Sequence, residues 1–505
     1  MKKYIARIVI ETTTPLVVGS GKSALDNDSV VAKDFNHLPY IPGTGLTGII
    51  SSLFEKKYDE KTKIDIFGGE DEKAKKENET FLGSAFEISD ALLAGEKNEV
   101  IQEVVSENSL TVHFKNYLQL PKREHVRIDH KGTSAKGGKF DSEFVYKGSR
   151  FKFEIELTQK EDDFSGYWND ILEIIQSGDF MLGSGTTNNY GQVKVVEIKE
   201  KIFDLNNQEE LENYLNVTVD LNKDTQLEPK ELNSKNGIWQ KQHSLKLAAN
   251  ALHIGAGYGD NDTDATNYKE LVVEWNGNTP EFKWYYVIPG TSIKGMLAHR
   301  TAYHFNKNNK QTVQELIAGY SDEQKRKLEK EIDDFFSEIE EKINAVLQQD
   351  IDEQEKIEKI KLLKQEAESF HLENDKKQSI QLDEYTGENI EVIRKLFGYA
   401  KDNEDGQMGN VIIEDCYLKP EEVEETIFQH NAIDRFTGGT IDGFLYSEKV
   451  FVPNNDIDIN IWIRNKDDIN AYLKYLDDAV NDLQNADLPI GGKTNKGYGF
   501  LTEKQ

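Results

Sequence analysis

The stretch VIPGTSIKG (287–295) gathers the residue types that hold phosphate: Gly290, Thr291, Ser292 and Lys294 at what reads as the mouth of a helix. A nucleotide cradle of the Gly-x-x-x-x-Gly-Lys-Ser/Thr kind wraps phosphates in successive backbone N–H groups and reaches them with its lysine. Here Lys294 precedes its glycine, so that chemistry is excluded. What survives is more general. Proline fixes the entry, glycine permits close backbone approach, and Thr or Ser caps a helix. The stretch is either a Pro-Gly turn into a capped helix or a helix N-terminus whose open N–H groups grip one phosphate of a polymer.

The motif has a twin, YIPGTGLTG (40–48), with Gly43 and Thr44 in register and Thr47 in place of Lys294. The twins open two series of matching blocks. DIFGGE (65–70) and FLGSAFEISDALL (81–93) follow the first; KLFGYA (395–400) and QMGNVIIEDCYL (407–418) follow the second. HVRID (125–129) then matches HNAID (430–434), FVY (144–146) matches FLY (444–446), and LGSGTTNNYGQVKV (182–195) matches PIGGKTNKGYGFL (489–501). Asp129 to Gly191 is 62 residues and Asp434 to Gly499 is 65. Pro42 to Asp129 is 87 against 145 for Pro289 to Asp434, so copy two carries about 58 more residues there.

These extra residues, at about 305–390, show apolar positions at helical spacing among Glu and Lys and predict a helical hairpin or small bundle. Each copy opens on an alternating strand, KYIARIVIETTTP and HSLKLAANALHIG. After the first Pro-Gly-Thr, Leu46, Ile49, Ile50, Leu53 and Phe54 fall on one helical face. The pattern predicts an α+β chain of two tandem ferredoxin-like domains, over 1–205 and 238–505, with the polar stretch 206–237 as linker.

At 505 residues the chain exceeds one ordinary domain. With 61 basic and 91 acidic residues its net charge is −30, which as a global sum disfavours nucleic acid. The sum hides local faces: LPKREHVRIDHKGTSAKGGK (120–139) is basic, whereas 321–360 is strongly acidic. A lone cysteine, Cys416, forbids an internal disulfide and a Cys-rich zinc site. No stretch approaches the roughly 18 apolar residues of a membrane span, so a cytoplasmic location and no membrane partner are expected.

The order of motifs resembles the repeat-associated mysterious protein (RAMP) superfamily, and more narrowly the backbone subunits of type III CRISPR interference complexes. NAIDRFTGGTIDGFLYSEKVF (431–451) is the most specific stretch. The resemblance implies two tandem RNA-recognition-like modules, each gripping a guide RNA (crRNA) with a palm and projecting a hairpin thumb. Complementary target RNA and other CRISPR effector subunits are the implied partners. It puts Gly43, Thr44, Gly290, Thr291, Ser292 and Lys294 at helix openings near RNA. Thr186, Asn188 and Tyr190, and Lys493, Asn495, Lys496 and Tyr498, lie in glycine-rich loops that suit a sugar-phosphate chain and a stacked base. Arg127, His130, Lys131, Lys136 and Arg435 are the thumb cations. Asp129 and Asp434 would orient the hairpins, and His125 and His430 are expected as packed or hydrogen-bonded side chains.

Family ribonucleases cut target RNA with an aspartate in the loop after the first strand. GSGKSALDNDSVVAKD places Asp26 on that aspartate, with Lys22, Asp28 and Asp34 nearby. Such a carboxylate could hold Mg²⁺ or orient a 2′-hydroxyl for in-line attack. Copy two departs from the pattern and offers Asp260, Asp262 and Asp264, of which Asp264 is best placed by its distance to the next strand. The expected function is a crRNA-binding backbone subunit that is also a metal-dependent endoribonuclease on target RNA. The alternatives are a non-catalytic scaffold, and a processing endoribonuclease for precursor crRNA acting through His125 or His430.

Overall fold

The computed structural model describes residues 1–21, 30–69, 83–129, 132–159, 163–233, 237–309, 322–349, 352–367, 387–399, 406–464 and 467–503. The chain divides into two compact units, one of Met1–Gly295, Asn410–Asp467 and Asp482–Gln505, the other of Met296–Gly409 and Asp468–Asn481. The first unit holds the main sheets, the long hairpins and the glycine-rich loops of both copies, and the short pair Gly398–Tyr399 with Gln407–Met408 lies in the second.

Copy one contains β1 (Lys2–Thr12), β2 (Tyr40–Ile41), β3 (Phe86–Ile88), β4 (Ala91–Ala94), β5 (Lys122–Ile128), β6 (Ser134–Glu143), β7 (Arg150–Gln159), β8 (Val193–Asp204) and β9 (Glu228–Pro229). The sheet runs β2-β4-β7-β1-β8-β9, with β3 also on β7, and β5–β6 form a separate hairpin. Its helices include α1 (Gly43–Phe54), α2 (Glu60–Phe67), α3 (Val112–Lys115) and α4 (Ser165–Ile175). Tyr4, Ala6, Ile8 and Ile10 share one face of β1, as strand alternation requires, and join a core with Leu46, Ile50 and Phe54 of α1 and Trp168, Ile171 and Ile175 of α4.

The opposite face of β1, with Ile5, Arg7 and Val9, is buried as well. The stretch read as a linker covers it. Helix α5 (Gln208–Leu215) and edge strand β9 flank a turn whose carbonyls at Asp220 and Lys223 accept from Arg7 at 3.0 and 2.7 Å, while Arg7 also pairs with Glu154 and Asp224. A polar segment docks here through backbone oxygens, which composition does not register.

Copy two runs β10 (Trp239–Ala249), β11 (Lys269–Asn276), β12 (Thr279–Ile288), β13 (Gly398–Tyr399), β14 (Gln407–Met408), β15 (Val411–Ile413), β16 (Cys416–Leu418), β17 (Val423–His430), β18 (Tyr446–Pro453), β19 (Ile457–Arg464) and β20 (Leu501–Glu503). Strand β10 lies between β19 and β20 as β1 lies between β7 and β8. β15 joins β19 as β3 joins β7, and β12 joins β16 as β2 joins β4.

Isolated bridges fix the alignment of the copies. Leu16 meets Val145 and Leu252 meets Phe451; Gly19 meets Val31 and Gly255 meets Asn267. This alignment separates FVY (144–146) from FLY (444–446), which the sequence pairs. Phe144–Tyr146 is buried at a hairpin base, whereas Phe444 and Leu445 are exposed near a hairpin tip. The structural counterpart of Val145 is Phe451, because the two hairpins carry different lengths of chain at their tips.

The second unit is largely helical, as the periodicity of the insertion predicts. Its helices Asp322–Gln348 and 353–367 are tied by a Lys342–Glu366 ion pair at 3.4 Å, and Phe305 packs edge-on against Tyr475.

Candidate nucleic-acid interface

Both Pro-Gly-Thr motifs open helices, α1 and α6 (Gly290–Asn308). The first N–H of each is taken. Gly43 donates to Asp90 Oδ1 and Gly290 to Asp415 Oδ1, each at 2.7 Å, so the aspartate that ends the strand of each copy caps its helix. The glycines are there for closeness: a Cβ on Gly290 would stand 2.1 Å from the Ile413 carbonyl, and one on Gly43 3.0 Å from that of Ile88. Thr44 and Ser292 are exposed and Thr291 is half-buried. Lys294 is not an open cation. It is buried, donates to the Thr187 carbonyl at 2.6 Å and approaches Asn188 Oδ1 at 3.5 Å, and burial pulls its ammonium down to about 8.

The glycine-rich loops share one conformation. Gly185 and Asn189, and Lys493 and Gly497, bracket a short turn with left-handed backbone. Gly191 and Gly499 close it where a Cβ would fall 1.8 and 2.0 Å from a carbonyl. Thr186 is half-buried, and Asn188, Asn495 and Lys496 are exposed. Tyr190 and Tyr498 are buried and do not stand out as stacking platforms. Tyr190 instead meets His125 Nε2 through its hydroxyl at 3.1 Å, and Tyr498 packs near Phe428.

The hairpins β5–β6 and β17–β18 rise beside these loops. Asp129 accepts from the Thr133 N–H and hydroxyl at 3.0 Å each, and Asp434 from Phe436 and Thr437 N–H at 2.8 and 2.7 Å, so both organise hairpin tips. Arg127 and Arg435 are exposed, and Lys136 sits on β6. His130 and Lys131 lie outside the described residues. His125 stacks on Phe140, and burial, helped by Arg123, pushes its imidazole down to about 4. His430 donates from Nε2 to Oε1 of the fully buried Glu448 at 2.7 Å; partial burial and the charges of Lys496 and Lys493 lower it. Glu448 also holds Lys493 and draws Lys496 to 3.7 Å.

The acidic loops hang from equivalent bridges with equal spacing, Gly19 to Val31 and Gly255 to Asn267. Asp26, Lys22 and Asp28 lie outside the described residues. Equal loop length puts Asp262, rather than Asp264, at the position of Asp26. Asp264 accepts from Ser447 N–H and Oγ at 2.7 and 3.1 Å. Asp260 accepts from Lys449 at 2.6 Å and from Thr263, which holds its carboxyl well below the usual range. Asp262 is exposed. Asp34 accepts from Asn36 and Leu38 N–H within its own turn. Among the described residues no three His, Cys, Asp or Glu gather as a metal-holding group.

The RAMP superfamily model matches residues 9–194 and again 285–502. The chain belongs to the RAMP superfamily. Its two copies are two RAMP modules. One relative, the CRISPR system Cms endoribonuclease Csm3 of Methanocaldococcus jannaschii, is 30% identical over 220 residues, covering 39% of this chain and 80% of the relative. Among solved structures, the cryo-EM structure of the type III-B Cmr-beta bound to cognate target RNA is 20% identical, with a TM-score of 0.28 over 39% of this chain and 61% of that one. No helix among the described residues is long and apolar enough to cross a membrane.

What sequence reasoning missed is how the RAMP modules are joined. Arg123 of β5 is buried, with Nε and Nη2 on Glu270 Oε1 at 2.9 and 2.5 Å and Nη2 on Asp415 Oδ2 at 3.0 Å, all three from different blocks. The rings of Tyr190, Phe144 and Tyr268 surround its guanidinium at 5.3 to 5.9 Å. The β11–β12 hairpin of module two also reaches module one. Trp275 donates to the Gly148 carbonyl at 2.7 Å beneath Arg150, and Phe282 enters a box of His113, Tyr117 and Tyr146. The one available signal was the 27-residue stretch 95–121, which has no counterpart in module two and supplies His113 and Tyr117.

Proposed function

We propose that the chain is a crRNA-binding backbone subunit of a type III CRISPR effector complex that also cleaves complementary target RNA. The observation that carries this is the repetition, in one register, of a hairpin, a glycine-rich loop and an acidic loop around the end of the first strand. Such a surface holds a sugar-phosphate chain through backbone N–H groups and short polar side chains, with little demand on sequence. The named activity of the Csm3 relative supports ribonuclease chemistry.

In this reading Asp26 is the cleaving residue of module one, and its register mate Asp262 is the better candidate in module two, because Asp260 and Asp264 are engaged by Lys449 and Ser447. The carboxylate orients a 2′-hydroxyl for attack on its own phosphate, a step governed by alignment more than by base strength. A divalent ion, Mg²⁺ by the chemistry of phosphate oxygens, would be held by the RNA and at most one or two carboxylates. When bound it would supply charge neutralisation at the phosphate.

The test uses the assembled complex with its guide, labelled complementary RNA and Mg²⁺. Asp26→Ala is expected to remove one set of cuts, with a loss of about 10²-fold or more, and Asp262→Ala a second set. Cuts that survive both substitutions would leave the scaffold reading in its place. Lys294→Ala is expected to weaken guide binding, through disorder of the Thr187–Asn188 loop, without abolishing cleavage at the Asp26 site.

A further inference from the structure

The contact between the RAMP modules is head-to-tail, so each of its faces recurs once on the chain without its mate. In module two the acids Glu270 and Asp415 clasp Arg123 of module one. Module one repeats both acids. The bridge Lys33–Pro39 corresponds to the pair Lys269–Tyr286, which sets Asp34 where module two has Glu270. Asp90 caps α1 as Asp415 caps α6.

The two pairs differ in exposure. Asp415 is buried under Arg123, whereas Asp90 is exposed and its Oδ2 takes no hydrogen bond among the described residues. Asp34 and Asp90 line one groove of about 610 Å³, together with Glu103 and Glu154 and a single cation, Lys33. The groove is rimmed by Phe35, Val104 and Val219, exposed by 89, 77 and 89%. An acid-lined groove with an apolar rim is complementary to an arginine framed by aromatic rings, which is how Arg123 is presented to module two.

We propose that this groove seats the thumb base of another RAMP-family module, one with an arginine at the position of Arg123, and that this module belongs to a different protein. A second copy of this chain would offer module two. Its residue at that position is Phe428, three positions of register from the same bridge and paired with Glu448 where Arg123 is paired with Ser142. A phenyl ring and a buried carboxylate do not answer Asp34 and Asp90. Module two also has only Lys419–Glu422 between β16 and β17, where module one carries the 95–121 platform.

The proposal rests on the backbone reading only in requiring neighbouring RAMP subunits. The full chain is co-expressed with the RAMP-family subunits of its own CRISPR locus, as wild type and as Asp34→Asn with Asp90→Asn. Asparagine keeps an oxygen for the Gly43 N–H, and circular dichroism with guide RNA content reports folding. The wild type is expected to retain one RAMP subunit, and the double variant to lose it at least tenfold. A photoreactive phenylalanine analogue at position 35 should cross-link to the hairpin of that subunit, and replacing its arginine by methionine should reproduce the loss. Unchanged retention in the double variant overturns the proposal. So does a wild type that sediments as self-associated chains which the double variant dissolves. A wild type that holds RNA but no RAMP subunit defeats the groove alone; one that holds neither defeats the backbone reading as well.

Discussion

The two RAMP modules share a topology and differ in what their matching positions touch. At the thumb base, module one has Arg123 inserted between Glu270 and Asp415, whereas module two has Phe428 beside Tyr498. At the helix opening, module two has Lys294 bonded to the loop of module one, and module one has Thr47 bonded to its own Gly43 carbonyl at 2.9 Å. The first strand of module one is buried on both faces, that of module two only at Leu245 and Leu247. Duplication therefore preserved the frame, and the join between modules was built from side chains that the two copies do not share.

The contrast at the thumb base is the one most open to breaking. Arg123→Met leaves two buried carboxylates without their cation, and a loss of about 3–5 kcal/mol is expected in urea unfolding, against about 1 kcal/mol for Phe428→Ala at its half-exposed position. Equal losses would mean that the ion cluster contributes nothing particular.

Lys294 sharpens the comparison through pH. Its folded-state value of about 8 lies below the ordinary 10.5, so the unfolded chain binds the proton more tightly. Stability contributed by this group therefore rises between pH 8 and 10.5. The wild type is expected to gain about 3 kcal/mol over that window relative to Lys294→Met, whereas Thr47→Ala, which keeps Lys294, follows the wild-type slope. Thermal unfolding at stepped pH measures it.

Helix openings give the next effect. Gly290→Ala drives a Cβ into the Ile413 carbonyl and is expected to cost about 2–3 kcal/mol, and Gly43→Ala about 1 kcal/mol or less, since its nearest oxygen stands farther off. The smallest effect is at the hairpin tips. Asp434 is held low by the Thr437 N–H and then by Phe436, so its capping is present above the carboxylate range and lost as pH falls through its folded value. Amide protection at Phe436 and Thr437, taken relative to the intrinsic exchange rate at each pH, should fall at low pH and in Asp434→Ala, with Asp129→Ala acting likewise on Thr133.

The frame was legible in the sequence because it follows from local rules. Alternation marked β1, spacing at three and four marked α1, and the spacing of the glycine-rich loops survived duplication. The Asp-Thr turns at Asp129 and Asp434 were legible for the same reason. Tertiary facts were not. Tyr190 is buried because the thumb folds over its loop, and nothing in GTTNNYG says so. Arg123, Glu270 and Asp415 lie far apart in three blocks, so no window brings them together. Equal loop length, which pairs Asp26 with Asp262, needed the bridges at Gly19 and Gly255 to set both ends.

The segment 206–237 bears on how the molecule is held together. It is fastened along the first sheet as far as Asn233, which bonds Gln176, and the chain is picked up again at Ile238 by Asp179. Little slack remains between the modules. A short tether of this kind sets the effective concentration of one module around the other at millimolar or above. The contact between the modules therefore forms within one chain, whatever the protein concentration, and two modules always arrive together, in fixed order and in equal number.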